Sequence, residues 1–234
     1  MDCILVRPRY NSKMQANYVQ RLRFVFSKSG PTRYIGHLDV ARALERALNR
    51  AKIPLAYTQG YNKRPRMQLA AALPLGFTSE CEIADIWLME AMEPETAQAQ
   101  MMSKMAPGIT IFGVDEIPLS EPATQTLTAE ARYDAMILDP VDKAALQSRI
   151  EAFLTAESVE RERRGKEYDL RPLVLDLALD ETADGALRID MHLYLLPGKT
   201  GRPDEVLDAL GLDPLAARIH RKAIVLADEP VPGS

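Results

Sequence analysis

Residues 118–128 hold two prolines, small polar side chains and no periodic apolar face, and a similar order of strand-like and helix-like segments runs on either side of them. That repetition constrains the fold more than any single motif. Before the break, Leu22, Phe24 and Phe26 alternate with Arg21, Arg23 and Val25, the period of two that a half-buried strand shows. Ala41, Leu44, Leu48 and Ala51 then recur at helical spacing over residues 37–52, and Pro54 marks the start of a strand over 55–58. The Ala-rich segment after Met67 fits helix or strand equally. Strand patterns over 81–89 and 109–117 flank a helix that opens after Pro94 and closes before Pro107-Gly108. After the break come a strand over 133–138, a helix over 140–153, and a short strand candidate over 158–161. Leu173, Leu175, Leu177 and Leu179 then alternate with Val174, Asp176, Ala178 and Asp180, and Asp184-Gly185 turns the chain into a strand over 187–195. A short helix before Gly211 and a strand over 219–226 complete the series. The order β-α-β-β-α-β, met twice, predicts an α+β protein of two tandem ferredoxin-like halves with antiparallel sheets. The expected boundaries are an N-terminal arm over 1–20, a basic domain over 21–118, a linker over 119–128, a second domain over 129–226 and a tail over 227–234.

A chain of 234 residues with 47% hydrophobic side chains can build two cores of ordinary size. Its net charge of -4 conceals a segregation: residues 1–66 carry 14 Lys/Arg against 3 Asp/Glu, while residues 67–234 carry 15 against 30. One positive face on an acidic body suits a polyanion, and RNA is the leading expectation. The alternative is neutralisation between the halves. Cys3 and Cys81 stand far apart with no close Cys/His spacing, which supports neither a disulfide framework nor a structural zinc site and fits a reducing cytoplasm. The longest apolar runs, such as 69–73, are far short of a membrane span, and residues 1–20 lack the apolar core of a signal peptide. A cytoplasmic protein with no membrane partner is therefore expected. Neither G-x-x-x-x-G-K-[ST] nor G-x-G-x-x-G occurs, so no nucleotide cofactor and no metal is expected.

The candidate binding residues cluster around the first helix. At 100° per residue, Arg42, Arg46 and Arg50 fall nearly opposite the apolar arc and face water, a spacing suited to phosphate contacts. His37 begins the helix within the apolar arc, with Gly36 as N-cap and Asp39 complementing the dipole. The positive helix end disfavours its protonation, which makes His37 the candidate base. The loop that feeds this terminus supplies hydroxyls and the side chains of Lys28, Arg33 and Tyr34. The stretch Gln59-Gly60-Tyr61-Asn62-Lys63-Arg64-Pro65-Arg66 combines a permissive glycine, a stacking face and three cations, a mixture suited to single-stranded nucleic acid. In the second half Arg161, Arg163, Arg164, Lys166 and Arg171 gather within eleven residues. Both basic loops would border one groove if the halves are related by pseudo-symmetry. Arg188, His192 and Tyr194 share a polar strand face with Asp190, which any half-exposed strand can show.

The run Tyr34-Ile35-Gly36-His37-Leu38-Asp39, followed by Arg42, Arg46-Ala47, Pro54-Leu55 and Gln59-Gly60-Tyr61-Asn62-Lys63-Arg64-Pro65, resembles a bacterial family of radical-SAM-linked proteins. Leu73-Pro74-Leu75-Gly76, Ser79-Glu80 and Lys166 through Asp169 to Arg171-Pro172 extend the resemblance over residues 21–226. Members often carry a proline where Lys63 stands, a departure that touches only the local turn. The resemblance implies a radical-SAM protein as partner, since members are encoded beside or fused to one. The C-x-x-x-C-x-x-C that would hold such an enzyme's cluster is absent here, so this chain would be the accessory. The expected tandem plan also resembles that of the repeat-processing endoribonucleases of CRISPR systems, a likeness of fold alone.

The leading expectation is an RNA-binding or substrate-presenting accessory of a radical-SAM enzyme in RNA or ribosome-related modification. The alternatives are a metal-independent endoribonuclease, with His37 as base and Tyr61 or Tyr34 orienting, and a protein adaptor.

Overall fold

Alternating apolar side chains make the first strand two-faced. β1 (Gln20–Lys28) turns Leu22, Phe24 and Phe26 into one core and sets Arg21 and Arg23 on the opposite face. The computed structural model describes residues 18–231 apart from Gly60 and Arg164; residues 1–17 of the expected arm and 232–234 of the tail lie outside the described residues. A 3-10 turn (Gly30–Tyr34) leads into α1 (His37–Arg50), which buries Val40, Leu44, Ala47 and Leu48 against β1 and leaves Arg42, Arg46 and Arg50 exposed. Each of the large apolar anchors contributes about 1.5–3 kcal/mol of transfer free energy. The turn is seated on Gly108, whose φ of +92° and contact with the Ser29 carbonyl leave no room for a side chain: a Cβ there would lie 2.3 Å from that oxygen.

β2 (Met67–Leu69), β3 (Thr78–Leu88), α2 (Pro94–Met102) and β4 (Ile109–Ile117) complete the first half. The strand expected over 55–58 is reduced to isolated bridges, Leu55 to Leu88 and Tyr57 to Pro65. Pro54 and Pro65 cannot donate to a ladder, and the chain folds back on itself through Thr58 N–H to the Arg64 carbonyl and Arg66 N–H to the Ala56 carbonyl. The second half comprises α3 (Thr124–Leu127), β5 (Thr128–Ile137), α4 (Lys143–Thr155), β6 (Glu160–Arg163), β7 (Lys166–Asp169), β8 (Val174–Glu181), β9 (Leu187–Leu196), β10 (Lys199–Thr200), α5 (Pro203–Ala209) and β11 (Ala217–Leu226).

The protein is a mixed α/β structure built on one large, mostly antiparallel sheet. Where the sequence predicts two sheets, nine strands join one in the order β10-β9-β5-β11-β3-β1-β4, with β2 on β3 and β8 on β9, while β6 and β7 form a hairpin of their own. The pairing that fuses the halves is the parallel one, β11 to β3, through His220 with Thr78 and Arg221 with Ser79. Periodicity does not encode which strand edges meet, so this junction is invisible in the sequence. Two apolar cores lie on either side of it, and Leu73 and Phe77 of the first half insert into the core of the second.

Arg221 locks the junction. It is 1% exposed, donates from Nη1 to both Glu82 oxygens at 3.0 and 3.2 Å, from Nε to the Tyr133 hydroxyl at 3.1 Å and from Nη2 to the Ala72 carbonyl at 2.8 Å. One guanidinium thereby ties β11 to β3, β5 and the segment after β2. A second knot holds the expected linker. Arg21 donates to the Glu121 and Pro122 carbonyls and, at 2.5 Å, to Asp85, which also accepts from Arg23 and from the Thr124 hydroxyl. Burial alone would raise the Asp85 carboxyl; the hydrogen bonds from Arg23, Thr124 and Arg21 outweigh it and hold the carboxyl below its ordinary 3.8. Residues 119–128 are therefore a strap pinned across the first half, with α3 inside it, rather than a free linker. The segment after β11 is likewise attached, through Ala227 N–H to the Leu127 carbonyl and Val231 N–H to the Thr126 carbonyl.

Glu82→Ala strands a fully buried guanidinium and is expected to cost about 3–5 kcal/mol in denaturant unfolding, whereas the paired change Glu82→Leu with Arg221→Met costs less than Glu82→Ala alone. Equal stability of Glu82→Ala and the wild-type chain would show that the pair does not hold the junction.

Candidate functional site

Beside β2, between α1 and the strap, lies a cavity of about 680 Å³. His37, Ala41 and Glu45 of α1 form one wall, Leu119, Glu121 and Gln125 of the strap another, and Arg66, Trp87 and Tyr18 the end. Arg66 is exposed, with its guanidinium 4.7 Å from the Tyr18 ring centroid and 5.1 Å from that of Trp87. Arg21 lies 4.8 Å from the same indole. Such stacking orients a guanidinium while leaving its N–H donors free. Among the described residues the Arg66 side chain has no carboxylate partner and no hydrogen-bond acceptor.

A second cavity, of about 1110 Å³, lies in the other half, and His37 and Gln125 line both. Gln125 is fixed there by its Nε2 donating to the Leu69 carbonyl at 3.0 Å. The two cavities therefore adjoin at His37, the first residue of α1, and at Gln125 of the strap. His37 is half-buried at the crossing point. Burial lowers its pKa below the ordinary imidazole value of 6.5; nearby Glu82 works against this, and Arg221 and Lys28 reinforce it. His37 is thus neutral at pH 7.

The structure disperses part of the expected binding set. Lys28 is 1% exposed, its Nζ donates to the Phe77 carbonyl at 3.2 Å, and burial lowers its pKa, so its charge is spent inside the fold. Arg171 is also internal, donating to the Leu154 and Val174 carbonyls. Periodicity cannot tell a cation that caps buried carbonyls from one that meets a ligand. Arg33 stacks 5.3 Å from the exposed Tyr34 ring, and its carbonyl accepts from Gly76 N–H. Arg42 pairs with Asp39 at 3.0 Å, Arg50 donates to the Lys104 carbonyl, and Arg46 faces solvent. This stripe does not line the groove, because the edge of α1 that does carries Glu45. Gln59, Tyr61, Asn62, Lys63 and Arg64 project on an exposed loop, with Gly60 outside the described residues. Of that loop, Arg66 reaches the groove. Lys166 does so from the second half, joined by Arg163. Arg188 and His192, on the polar strand face, are occupied by Asp180 and Glu130.

Sequence reasoning missed Tyr18, Trp87, Gln125, Lys199 and Arg202. Tyr18 fell in the expected arm, Trp87 lay unremarked in the strand expected over 81–89, Gln125 sat in the expected linker, and the segment holding Lys199 and Arg202 showed no motif. Cys81 contributes nothing reactive: burial pushes its thiol up to about 11. Among the described residues no group of three or more His, Cys, Asp or Glu is arranged to hold a metal ion, and no helix is long and apolar enough to cross a membrane.

Fold and site define a mixed α/β protein with a cation-bearing groove across the seam of a fused sheet. Residues 21–203 match the model of a family described as uncharacterized proteins conserved in bacteria (DUF2344), and the chain belongs to that family. No curated protein matches the chain. Solved structures that it resembles include an H/ACA RNP bound to a substrate RNA containing 2′-deoxyuridine, at 10% identity and TM-score 0.43, covering 89% of this chain and 48% of that one. An archaeal box H/ACA sRNP Nop10-Cbf5 complex gives 10% identity, TM-score 0.44, 91% and 50%, and a Cbf5-Nop10-Gar1 complex 11%, 0.44, 86% and 49%. The chain spans about half the length of these chains.

The lowered His37 pKa fixes a sign for linkage. Because the folded state holds this proton less tightly than the unfolded one, the stability linked to His37 is full above 6.5 and is lost as pH falls through the folded value. An NMR titration of the imidazole is expected to give a midpoint below 6.5, and a midpoint above 6.5 would contradict the burial of the ring at the crossing.

Proposed function

We propose that this protein binds single-stranded RNA in the groove and acts as a non-catalytic accessory that presents it to a partner enzyme. The observation that carries the reading is Arg66, an exposed guanidinium lying against both the Tyr18 and the Trp87 rings in the first cavity with its donors unspent. Single-stranded nucleic acid combines planar bases with regularly spaced phosphates, and stacked aromatic and guanidinium planes beside unpaired cations are the chemistry that recognises both. The exposed loop residues Tyr61, Lys63 and Arg64 extend the same chemistry outward. The resemblance to radical-SAM-linked proteins supplies the class of partner, a radical-SAM enzyme acting on RNA or a ribosomal component. The reading also takes the two halves as ferredoxin-like units. Pairing orders of β2-β3-β1-β4 in one and β8-β9-β5-β11 in the other support it.

A second reading, a metal-independent endoribonuclease, is favoured by one observation: His37 is neutral at pH 7 and lines both cavities, where a base would meet a ribose hydroxyl. Incubation of the protein with RNA in EDTA separates the two. Cyclic-phosphate ends that disappear with His37→Ala would establish the nuclease, and intact RNA removes it.

Fluorescence anisotropy with labelled oligouridine tests the leading reading. Binding is expected to weaken linearly in log Kd against log salt, and Arg66→Ala is expected to weaken it about tenfold, in line with the roughly 1–3 kcal/mol of one stacked base. Absence of binding at low salt, or binding indifferent to salt, would overturn it.

A further inference from the structure

The second-half cavity has a composition that the first lacks. Its cations come from two separate segments: the tip of the β6–β7 hairpin contributes Arg163 and Lys166, and β10 with the N-cap of α5 contributes Lys199 and Arg202. Among the described residues neither Arg163, Lys166 nor Lys199 has a carboxylate within ion-pair distance, while Arg202 donates to Asp204 at 2.5 Å. The carboxylates in the cavity are Glu167 and Asp169. Asp169 is committed to the hairpin base, since its Oδ1 accepts from the Val159 and Arg171 N–H groups at 2.8 and 3.0 Å. Arg161, bound to Glu205 and Asp208 on α5, anchors the same base. The hairpin is therefore held at its root, and its cations stand free at its tip, where Gly165 takes a φ of +73° to turn the chain. Ala70 to Ala72 and Leu173 add apolar lining, and the side chains of Tyr168 and Tyr194 line the same cavity.

Cations from two segments and two tyrosine side chains lining one cavity suit a ligand that alternates phosphates with planar groups, and fit neither a lipid surface nor an acidic peptide so well. A flat membrane would not enter a cleft, and a peptide carboxylate would leave the ring faces unused. The cavity also adjoins the Arg66 site, since His37 and Gln125 line both. We infer that the RNA strand crosses the seam between the halves and seats two of its phosphates on Lys166, beside Arg163, and on Lys199 in the second-half cleft, with a base unstacked against Tyr168 and Tyr194. This rests on the single-stranded RNA reading and adds to it a footprint: the fused sheet is needed because one strand occupies both halves.

The test compares oligouridines of increasing length on the full chain, wild-type and Lys166→Ala/Lys199→Ala. Both lysines are exposed, so folding is preserved, and circular dichroism verifies it. The doubly substituted chain is expected to bind the shortest oligomers as the wild type does, and to bind those long enough to cross the seam about tenfold more weakly. Its salt slope for the long oligomers is expected to fall by about 1.4, since each phosphate contact on a single strand contributes about 0.7. Lys166→Arg/Lys199→Arg restores both. If the doubly substituted chain matches wild type at every length while Arg66→Ala still weakens binding, the second-half seat is wrong and the RNA reading stands. An equal loss at every length shows a diffuse field and also overturns the seat. If no variant and no length binds, the RNA reading itself has failed.

Discussion

The position of the two halves relative to each other rests on one buried guanidinium. Arg221 meets Glu82 from β3, Tyr133 from β5 and the Ala72 carbonyl from the segment that follows β2, and each contact comes from a different part of the sheet. A buried ion pair is a poor source of net stability, but its geometry admits few alternatives. Displacing β11 along β3 by one residue would carry Arg221 to the other face of the sheet and leave both charges unpaired. The register of the parallel pairing, and with it the alignment of the two cavities below His37, follows from that constraint.

The charge segregation of the sequence divides into two uses. Arg21, Arg23 and Lys28 are spent inside the first half, two on the Asp85 carboxylate and one on the Phe77 carbonyl. Arg66 remains free at the groove, while on the outer face of α1 Arg42 pairs with Asp39 and Arg46 faces solvent, so the helix and the basic loop do not deliver all their cations to a single surface. The acidic second half contributes Lys166, Arg163 and Lys199 instead. The groove's cations thus come from both blocks, and the sum over either block is a poor guide to where they converge.

Much of the architecture was legible because strands and helices announce themselves by period. Leu22, Phe24 and Phe26 marked β1, Val40, Leu44 and Leu48 marked α1, and β4 was found at its observed bounds, Ile109–Ile117. The rest depends on contacts that no local pattern carries. A two-residue parallel pairing joins the halves, and the strap over residues 119–128 looks like a linker until Arg21 is seen holding its carbonyls. The motif from Lys166 to Pro172 illustrates the same limit within the site. Lys166 faces the cavity, Asp169 and Arg171 serve the hairpin's root, and nothing in their spacing separates the two roles.

The central claim, that one groove spans the seam and receives a nucleic-acid strand along its length, is tested most directly by photocrosslinking. A 4-thiouridine-substituted oligomer is bound to the full chain, irradiated, and the attached peptides are mapped. The account predicts adducts both near Tyr18, Arg66 and Trp87 and near Tyr168 and Tyr194. Adducts confined to the Arg42 and Arg46 face of α1, or to one half alone, would contradict it.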